Sequence, residues 1–329
     1  MRRLSLALSL LLLTVLAVLA VSCGDTAPGG PVSVRLMLDW VPNTNHTGIF
    51  VARDKGYFEE AGLEVEIVEP GEVYPEAAVA GGAADFGISF QENVTLARAE
   101  GAPIVSIAAV LQHNTSGFAS LAGRGVGGPA DFEGLRYGAY GSPSEVPTLQ
   151  TLMECSGADF GTLQIVTTGF SDPLALLAEG QIDLAWIFYG WQGIQAKQMG
   201  IDLDVVMMKD YFDCVPDFYT PVVIAGEETI AEKPEVVTAL VAALSRGYTF
   251  AAEHPEEAAE ILLSAVPELD SALVRESQAW LSAYYIAEAS QWGEQKESIW
   301  RDYADWLVEQ GVVTTPISPE DAFTNRFLP

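Results

Sequence analysis

The densest group of side chains that could do chemistry lies between residues 39 and 46. Asp39 and Trp40 end a strand-like run, and Asn43, Asn45 and His46 follow before a helix-like run. Asn and His side chains donate and accept hydrogen bonds, and the face of a Trp ring stacks on flat rings. These residues therefore predict a surface that grips a flat, polar ligand. A turn stabilised by its own Asn side chains, with Trp40 packed in the core, fits the same residues, and both interpretations stay open.

A second group is aromatic and lies in the stretch WIFYGWQG, residues 186–193. Trp186 and Phe188 belong to a strand-like run, so we expect both to pack in the core. Tyr189 and Trp191 fall in the turn after the strand, where core packing is less automatic, and we expect them to stack on a ligand. Gln192 follows them and adds a polar side chain to the same turn.

Two further strand ends carry polar side chains. Phe90, Gln91 and Glu92 follow the run ADFGIS, and Ser142 and Glu145 lie in GSPSEVP, which follows LRYGAY. The second stretch predicts a helix start with Ser142 as its N-cap. The free backbone N–H groups of a helix start can hold a carbonyl group or an anion. A helix start needs no ligand, however, so a capping role alone for Ser142 is the alternative.

Motifs for catalysis or metal binding are missing from the sequence. It contains no GxSxG, HExxH or P-loop pattern, and its three His residues are dispersed. We therefore expect no catalytic residue, no metal site and no cofactor. Cys155 and Cys214 lie far apart in the sequence, so a disulfide bond and two isolated thiols are both open.

Strand-like and helix-like runs alternate along the chain, which indicates parallel βαβ units and an α/β sheet. The alternation restarts after residue 115, and AGGAADFGISFQEN is echoed by AEGQIDLAWIFYGW. We expect two related lobes joined by a hinge, lobe 1 from 32–115 plus 222–329 and an inserted lobe 2 from 116–221. Ligands of open α/β sheets bind beyond the carboxyl ends of strands, so the groups above are expected at one cleft.

The first 31 residues have the pattern of an export segment. A basic start, a long apolar run and small residues precede Cys23. We expect a signal peptide at 1–22, a lipid on Cys23 and a flexible spacer at 23–31. An uncleaved membrane anchor is the alternative, and either one would hold the protein at the outer face of the cell membrane. The net charge of −29 disfavours nucleic acid and anionic lipid headgroups as partners.

The sequence resembles the solute-binding proteins related to the thiamine-pyrimidine precursor synthase. The matching runs are LDWVPNTNHTGIFVARDKGYF, DFGISF, the Gly-Ser-Pro-x-Glu stretch and YGWQGIQA. The resemblance covers about residues 33–310. It implies a two-lobed periplasmic-binding-protein fold of type II that closes on a ligand by hinge motion. It also implies a lipid-tethered receptor that hands a vitamin or vitamin precursor to the permease of an ABC importer.

The enzymatic branch of this family uses a Lys and a His after the DFG-type strand, together with a run of Cys residues. Carried onto this chain, the Lys position is Ser89 and the His position is Asn93, and only Cys214 remains of the Cys run. Without the Lys, no Schiff base with pyridoxal phosphate can form. We therefore expect a receptor and no enzyme, with an exported pyrimidine-processing enzyme as a distant alternative.

The residue at position 192 guides the expected ligand. Receptors of this family that take aminopyrimidines often have Glu where this chain has Gln192. An amide offers one acceptor and two donors, which complements the imide edge of riboflavin. Riboflavin is therefore the first ligand expected, and a thiamine precursor of the formylaminopyrimidine or hydroxymethylpyrimidine type is the alternative. Trp40, Tyr189 and Trp191 would sandwich the flavin ring, and the ribityl hydroxyls would suit Asn43, Asn45, Gln91, Glu92 and Ser142.

Overall fold

Two five-stranded sheets organise the chain in the computed structural model, which describes residues 30–71, 73–169 and 171–329. The first sheet contains β1 (Val32–Met37), β2 (Leu63–Val68), β3 (Phe86–Ser89), β4 (Ile104–Ala109) and β10 (Val222–Gly226). The second sheet contains β5 (Ser116–Leu121), β6 (Arg136–Ala139), β7 (Gln164–Thr167), β8 (Leu184–Phe188) and β9 (Leu203–Met207). Their spatial orders are β2-β1-β3-β10-β4 and β7-β6-β8-β5-β9, so the two sheets have equivalent arrangements.

One strand in each sheet runs against the others. β10 is antiparallel to β3 and β4, and β5 is antiparallel to β8 and β9, whereas the remaining pairs are parallel. The chain passes from one sheet to the other between β4 and β5 and again between β9 and β10. The expected α/β fold class is confirmed. The antiparallel strands were not expected, and they arise because β5 and β10 each enter their sheet from the other one.

Helices flank both sheets. The α-helices in the described residues are α1 (Thr47–Asp54), α2 (Tyr57–Glu60), α3 (Pro75–Ala80), α4 (Gln91–Ala99), α5 (Glu145–Cys155), α6 (Pro173–Ala178), α7 (Ile194–Gln198), α8 (Glu227–Glu232), α9 (Pro234–Glu253), α10 (Pro255–Ala265), α11 (Ser271–Leu281), α12 (Glu297–Glu309) and α13 (Pro319–Ala322). The sequence predicts one helix across α1 and α2. Gly56 separates them because its φ of 74° is left-handed, a conformation that glycine adopts without steric cost.

Two glycines let α1 and α9 approach closely. A Cβ atom at Gly48 would lie 2.2 Å from the ring of Tyr248, and one at Gly247 would lie 2.1 Å from the carbonyl oxygen of Gly48. The Tyr248 hydroxyl in turn donates a hydrogen bond to the carbonyl oxygen of Asn45, over 2.8 Å. The helix pair therefore holds the loop before α1, which carries the first predicted group of site residues.

Helix α12, near the C-terminus, packs against the cores of both sheets. Trp300 is buried with residues of the first sheet's core, such as Ile104. Tyr303 and Trp306 are buried with residues of the second sheet's core, such as Phe118. We call the parts built on the two sheets the first and second lobes. The lobe boundaries drawn from the sequence remain a prediction, and α12 contributes to the cores of both lobes.

Cys155 and Cys214 form a disulfide bond, with their Cα atoms 6.0 Å apart. The sequence left open whether these residues pair. The bond ties the end of α5 to the segment that follows β9, so it fastens the second lobe next to a crossover.

The expected signal peptide at 1–22 and Cys23 lie outside the described residues, as does most of the spacer at 23–31. Val32–Pro329 form one compact unit. Within the described ranges, no helix is long and apolar enough to cross a membrane.

Candidate ligand-binding cleft

The sequence echo produces two equivalent strands, β3 and β8, which occupy the same place in their sheets. The Asp before each strand accepts a hydrogen bond from a backbone N–H of the neighbouring strand. Asp85 accepts from Arg35 over 2.8 Å, and Asp183 accepts from Arg136 over 3.0 Å. The Arg136 guanidinium also bonds Asp183 and is the main cause that lowers the pKa of this carboxyl to about 2. The two carboxylates fix the strands that end at the cleft.

Phe90 and Phe188 occupy matching positions of the echo and face each other between the lobes. Their ring centroids lie 6.1 Å apart and the rings are inclined by only 14°. Both side chains are half-buried. The expectation that Phe188 belongs to the core is therefore wrong, because the ring points from the strand end toward the first lobe. Trp186, by contrast, packs on Phe118 at 5.0 Å, in agreement with its expected core position.

A buried carboxyl lies two residues beyond Phe90. Glu92 is in the first turn of α4, is only 7% exposed, and accepts a hydrogen bond from the Ser142 hydroxyl of the second lobe. Burial is the main cause that raises the pKa of Glu92 above its ordinary value, and hydrogen bonds from Ser142 and Ser144 oppose the rise. The structure thus brings together Glu92 and Ser142, which the sequence placed at one cleft.

Some buried polar atoms of the second lobe lack a hydrogen-bond partner among the described residues. The indole N–H of Trp186 and the hydroxyl of Thr148 make no hydrogen bond to any described residue. Tyr303 lies close enough to Glu92 for the carboxylate charge to raise its pKa, although burial is the larger cause. Buried polar groups are normally paired, so the Trp186 and Thr148 groups are open to a polar partner.

The helix start in the second lobe differs from the prediction. α5 begins at Glu145, after Ser144, so Ser142 is not its N-cap. The Glu145 carboxylate is buried and accepts hydrogen bonds from the backbone N–H groups of Tyr140 and Gly141, over 3.0 and 2.8 Å. Glu145 therefore stabilises the loop that carries Ser142, and both oxygens of the Glu145 carboxylate are hydrogen-bonded to that loop.

The group at residues 39–46 is bonded mainly to itself. The fully buried ring of His46 lies 2.6 Å from the Asp39 carboxylate through Nε2, and its Nδ1 accepts the backbone N–H of Asn43 over 3.2 Å. This network assigns the proton of the neutral ring to Nε2. The Asn43 side chain accepts the backbone N–H of Asn45 and donates to the carbonyl of Val41. Asp39, Asn43 and His46 thus shape the loop, and direct ligand contact by His46 is excluded in this conformation.

Trp40 and Gln91 have opposite exposures. Trp40 is 51% exposed, so the alternative that places it in the core is wrong. Gln91 is fully buried, and its side chain accepts from the backbone N–H of Tyr219 and donates to the carbonyl of Ile299. Both ends of the Gln91 amide are therefore occupied, and this residue fastens α4 to the second crossover and to α12.

The aromatic turn after β8 is a single π-helical turn, Tyr189–Gly193. The Gln192 side-chain oxygen accepts the backbone N–H of Phe188 over 2.7 Å, so its acceptor is used inside the turn. The Tyr189 ring contacts Trp280 at 5.2 Å, and Trp191 packs on a first-lobe cluster that includes Phe50. The turn thus docks on the first lobe as well as ending β8.

Three residues at the lobe contact were missed in the sequence analysis. Ser277 and Trp280 of α11 touch the aromatic turn, and Tyr303 of α12 lies near Glu92. The signal for the first two was present in SQAWLSAYY, where aromatic and small polar residues recur three and four positions apart on one helix face. No local signal marks Tyr303, because its place depends on α12 crossing to the second lobe.

The positions that correspond to the Lys and His of the synthases form a small polar group. The Ser89 hydroxyl and the Asn93 amide both donate hydrogen bonds to the Glu76 carboxylate at the start of α3. The Glu76 carboxylate thus accepts hydrogen bonds from both side chains, and neither Ser89 nor Asn93 is basic. Among residues 30–71, 73–169 and 171–329, no three His, Cys, Asp or Glu side chains are grouped so as to hold a metal ion.

Comparison with known proteins gives the chain's relatives. The family described as NMT1/THI5 like matches residues 43–258. A formylaminopyrimidine-binding protein of Halalkalibacterium halodurans is 30% identical over 89% of this chain and 90% of its own length. A 4-amino-5-hydroxymethyl-2-methylpyrimidine phosphate synthase of Legionella pneumophila is 24% identical over 90% of this chain and 92% of its own length. The riboflavin-binding protein RibY of Chloroflexus aurantiacus is 23% identical over 90% of this chain and 86% of its own length.

Solved structures agree on the fold. The periplasmic aliphatic sulphonate binding protein SsuA of Escherichia coli superposes with a TM-score of 0.68 at 14% identity, over 89% of this chain and 92% of that one. A Candida albicans protein with the generic periplasmic binding protein fold superposes with a TM-score of 0.62 at 16% identity, over 91% of this chain and 97% of that one. At these identities the likeness concerns the fold alone. This chain therefore has the periplasmic-binding-protein fold expected from the sequence, and it belongs to the NMT1/THI5-like family.

Proposed function

We propose that this protein is the substrate-binding protein of an ABC importer, and that it captures a small aminopyrimidine of the formylaminopyrimidine class. Its fold is that of import receptors, and the relative that is 30% identical over nearly the whole chain is a formylaminopyrimidine-binding protein. The lobes predicted from the sequence would close on the ligand about the two crossovers, and a permease would then receive it.

One observation carries the choice of ligand class. The parallel rings of Phe90 and Phe188 meet between the lobes, and the buried carboxyl of Glu92 lies two residues from the first ring. A flat ring entering between the lobes would stack on these aromatic faces. An aminopyrimidine presents an exocyclic N–H next to a ring nitrogen. A carboxyl group of raised pKa accepts from that N–H and shares its proton with the ring nitrogen, which gives two parallel hydrogen bonds.

Riboflavin is the second candidate ligand. It is supported by the relative named as a riboflavin-binding protein and by the donor and acceptor that Gln192 offers. We rank it below the aminopyrimidine because the Gln192 oxygen already accepts the N–H of Phe188. One of the two lone pairs of that oxygen is then taken inside the turn, which restricts how the Gln192 amide can meet an imide edge.

We further propose that the protein binds its ligand without converting it. Some relatives are synthases, but the Schiff-base Lys and the His of that branch are replaced here by Ser89 and Asn93, which donate to Glu76. A receptor should release its ligand unchanged. Incubation with the bound pyrimidine followed by mass spectrometry checks this, and a product of altered mass would contradict it.

Export and anchoring complete the proposal. The segment 1–22 would direct export, and lipid on Cys23 would keep the receptor beside its permease. Growth with a radiolabelled fatty acid should label the wild-type protein and leave Cys23→Ala unlabelled. Equal labelling of both proteins would refute the assignment of Cys23.

The ligand proposal is tested at Glu92. Glu92→Gln keeps the side chain's size but removes the acidic proton and the charge, so affinity for formylaminopyrimidine should fall about 10–100-fold in a calorimetric titration. Glu100→Gln, an exposed change just past the end of the same helix, is the matched control and should bind as the wild type does. Equal affinities of Glu92→Gln and the control would remove Glu92 from the site.

A further inference from the structure

The aromatic turn Tyr189–Gly193 is held in place by one buried serine of the opposite lobe. We infer that Ser277 of α11 is the positioning residue of this turn, through a hydrogen-bond relay from Thr44 to Ser277 to Gly190. The consequence for ligand affinity rests on the proposed function, since it requires that the turn borders the ligand. The relay itself is a property of the protein without ligand.

The direction of the relay follows from its atoms. The Ser277 hydroxyl donates to the carbonyl oxygen of Gly190, which can only accept. The Ser277 oxygen lies 2.5 Å from the hydroxyl oxygen of Thr44, so the Thr44 hydroxyl must be the donor in that contact. Ser277 and Thr44 are both fully buried. A chain of two hydroxyls aligned in one direction away from water strengthens each bond, so the loss of either hydroxyl affects both.

Packing brings the turn directly onto α11. A Cβ atom at Gly190 would lie 3.0 Å from the side chains of Trp280 and Leu281, so the backbone of the turn rests on the helix surface. The ring of Tyr189 covers Trp280 beside this contact. Little space therefore remains beside Gly190 for another donor to replace the Ser277 hydroxyl.

The same face of α11 contacts the second lobe, and the contact continues into the short 3-10 helix that follows α11, Ser282–Tyr284. Glu276 pairs with Lys197 at 2.5 Å, Trp280 meets Tyr189, and Tyr284 accepts Lys209 at 3.4 Å. Residues four apart lie on one side of a helix, so these contacts form a continuous strip with Ser277 inside it. Ser277 is the buried member of the strip that also reaches the first lobe's loop.

The other end of the relay lies in the loop that carries Trp40. Thr44 follows Asn43 in this loop, and its carbonyl oxygen accepts the Tyr285 hydroxyl over 2.6 Å. Ser277 thus connects the two groups of residues that the sequence analysis singled out, one from each lobe. In the structure, the loop, α11 and the aromatic turn are joined through a single hydroxyl. Its removal should loosen the turn and weaken ligand binding together.

The test uses Ser277→Ala, Thr44→Val and the double variant in the full-length protein. Ser245→Ala is the control, because Ser245 is a buried serine of the first lobe on α9 that makes no hydrogen bond within the described residues. Amide hydrogen exchange of residues 189–193 is measured first, without ligand. Ser277→Ala should speed this exchange about tenfold, the loss expected for one buried hydrogen bond, and Ser245→Ala should leave it unchanged.

Affinity for formylaminopyrimidine is measured next by calorimetry. Ser277→Ala should weaken binding about tenfold, and Thr44→Val should add little in its presence because the relay is already broken. Ser277→Cys keeps the size of the side chain and a weak donor, so it should lie between wild type and Ser277→Ala. A purely structural serine would instead lower the melting temperature without changing the exchange of residues 189–193 relative to the rest of the protein.

The outcomes separate the two proposals. Faster exchange of the turn in a protein that binds no pyrimidine supports the positioning role and refutes the proposed ligand. Unchanged exchange in Ser277→Ala overturns the positioning role, even if the pyrimidine binds. Fully additive losses from Ser277→Ala and Thr44→Val would also overturn it, because independent contacts and not a relay would then hold the turn.

Discussion

Single residues at the cleft divide into those that can meet a ligand and those whose polar atoms are already bonded to protein. His46, Gln91 and Glu145 belong to the second kind, since protein partners occupy their side chains. Phe90 belongs to the first, because its ring has no polar atom and faces Phe188. Glu92 accepts the Ser142 hydroxyl, so a ligand would share the Glu92 carboxyl with that serine. The sequence identifies which side chains can donate, accept or stack. It cannot identify which of them are satisfied internally, because the partners lie far away in the chain, as Tyr219 does for Gln91.

The stacking role of the two phenylalanines gives a prediction at this scale. Phe90→Leu and Phe188→Leu keep most of the apolar volume but remove the aromatic face, so each should weaken pyrimidine binding by about 1 kcal/mol. Phe160→Leu, in a short 3-10 helix of the second lobe, is the control and should have no effect. Calorimetric titration of the three variants measures the difference. If the cleft variants bind as tightly as the control, no ring lies between Phe90 and Phe188.

At the scale of elements, the strong alternation of β1 and β2 and the turn residues around them make the first lobe predictable. The strands β5 and β9 were not predicted. β5 reads SGFASL, which has low intrinsic strand preference, and it becomes a strand because β8 and β9 flank it. The turn expected at Tyr189 and Trp191 is a single π-helical turn, Tyr189–Gly193, and the Gln192 side chain accepts the N–H of Phe188 within it.

The crossover between β4 and β5 carries an ionic group that should respond to pH. His113 lies 2.6 Å from Asp217, on the other crossover, and 2.9 Å from Glu288 of the first lobe. The hydrogen bond to Asp217 is the main cause that raises the pKa of His113 to about 9, with a further contribution from Glu288. Protonated His113 thus joins the two crossovers and the first lobe.

The sign of the pH effect follows from this raised pKa. The folded protein binds the His113 proton more tightly than the unfolded chain, so its stabilising effect is complete below about pH 6.5 and is lost as the pH rises through about 9. Urea denaturation between pH 6 and pH 10 should show wild type losing stability relative to His113→Gln as the pH rises. The exposed His254→Gln is the control and should keep the wild-type pH profile. A constant difference between His113→Gln and wild type would contradict the assignment.

Across the whole molecule, the two sheets have equivalent topology, and the repeated sequence pattern at β3 and β8 puts matching phenylalanines face to face. This two-lobed arrangement could be expected from the sequence because the alternation restarts and repeats. The position of α12 could not be expected from the sequence. This helix follows first-lobe segments in the chain, yet it buries Tyr303 and Trp306 in the core of the second lobe. Packing between distant segments decides its place.

The disulfide bond contributes to the stability of the whole molecule. It closes a chain segment between residues 59 apart in sequence, and the loss of unfolded-chain entropy from such a loop corresponds to about 4 kcal/mol. The double variant Cys155→Ala with Cys214→Ala should lose stability of this order in urea denaturation. Wild type in reductant should lose a similar amount, whereas the reductant should not affect the variant. Equal stability of variant and oxidised wild type would show that the bond adds nothing.

The proposed function requires that this protein binds an aminopyrimidine. The most direct measurement is a calorimetric titration of the wild-type protein with formylaminopyrimidine and, in a parallel experiment, with riboflavin. We expect saturable binding of one formylaminopyrimidine per chain at micromolar or lower concentration, and weaker binding of riboflavin. Tighter binding of riboflavin would contradict the role given to Glu92, and binding of neither compound would contradict the proposed function.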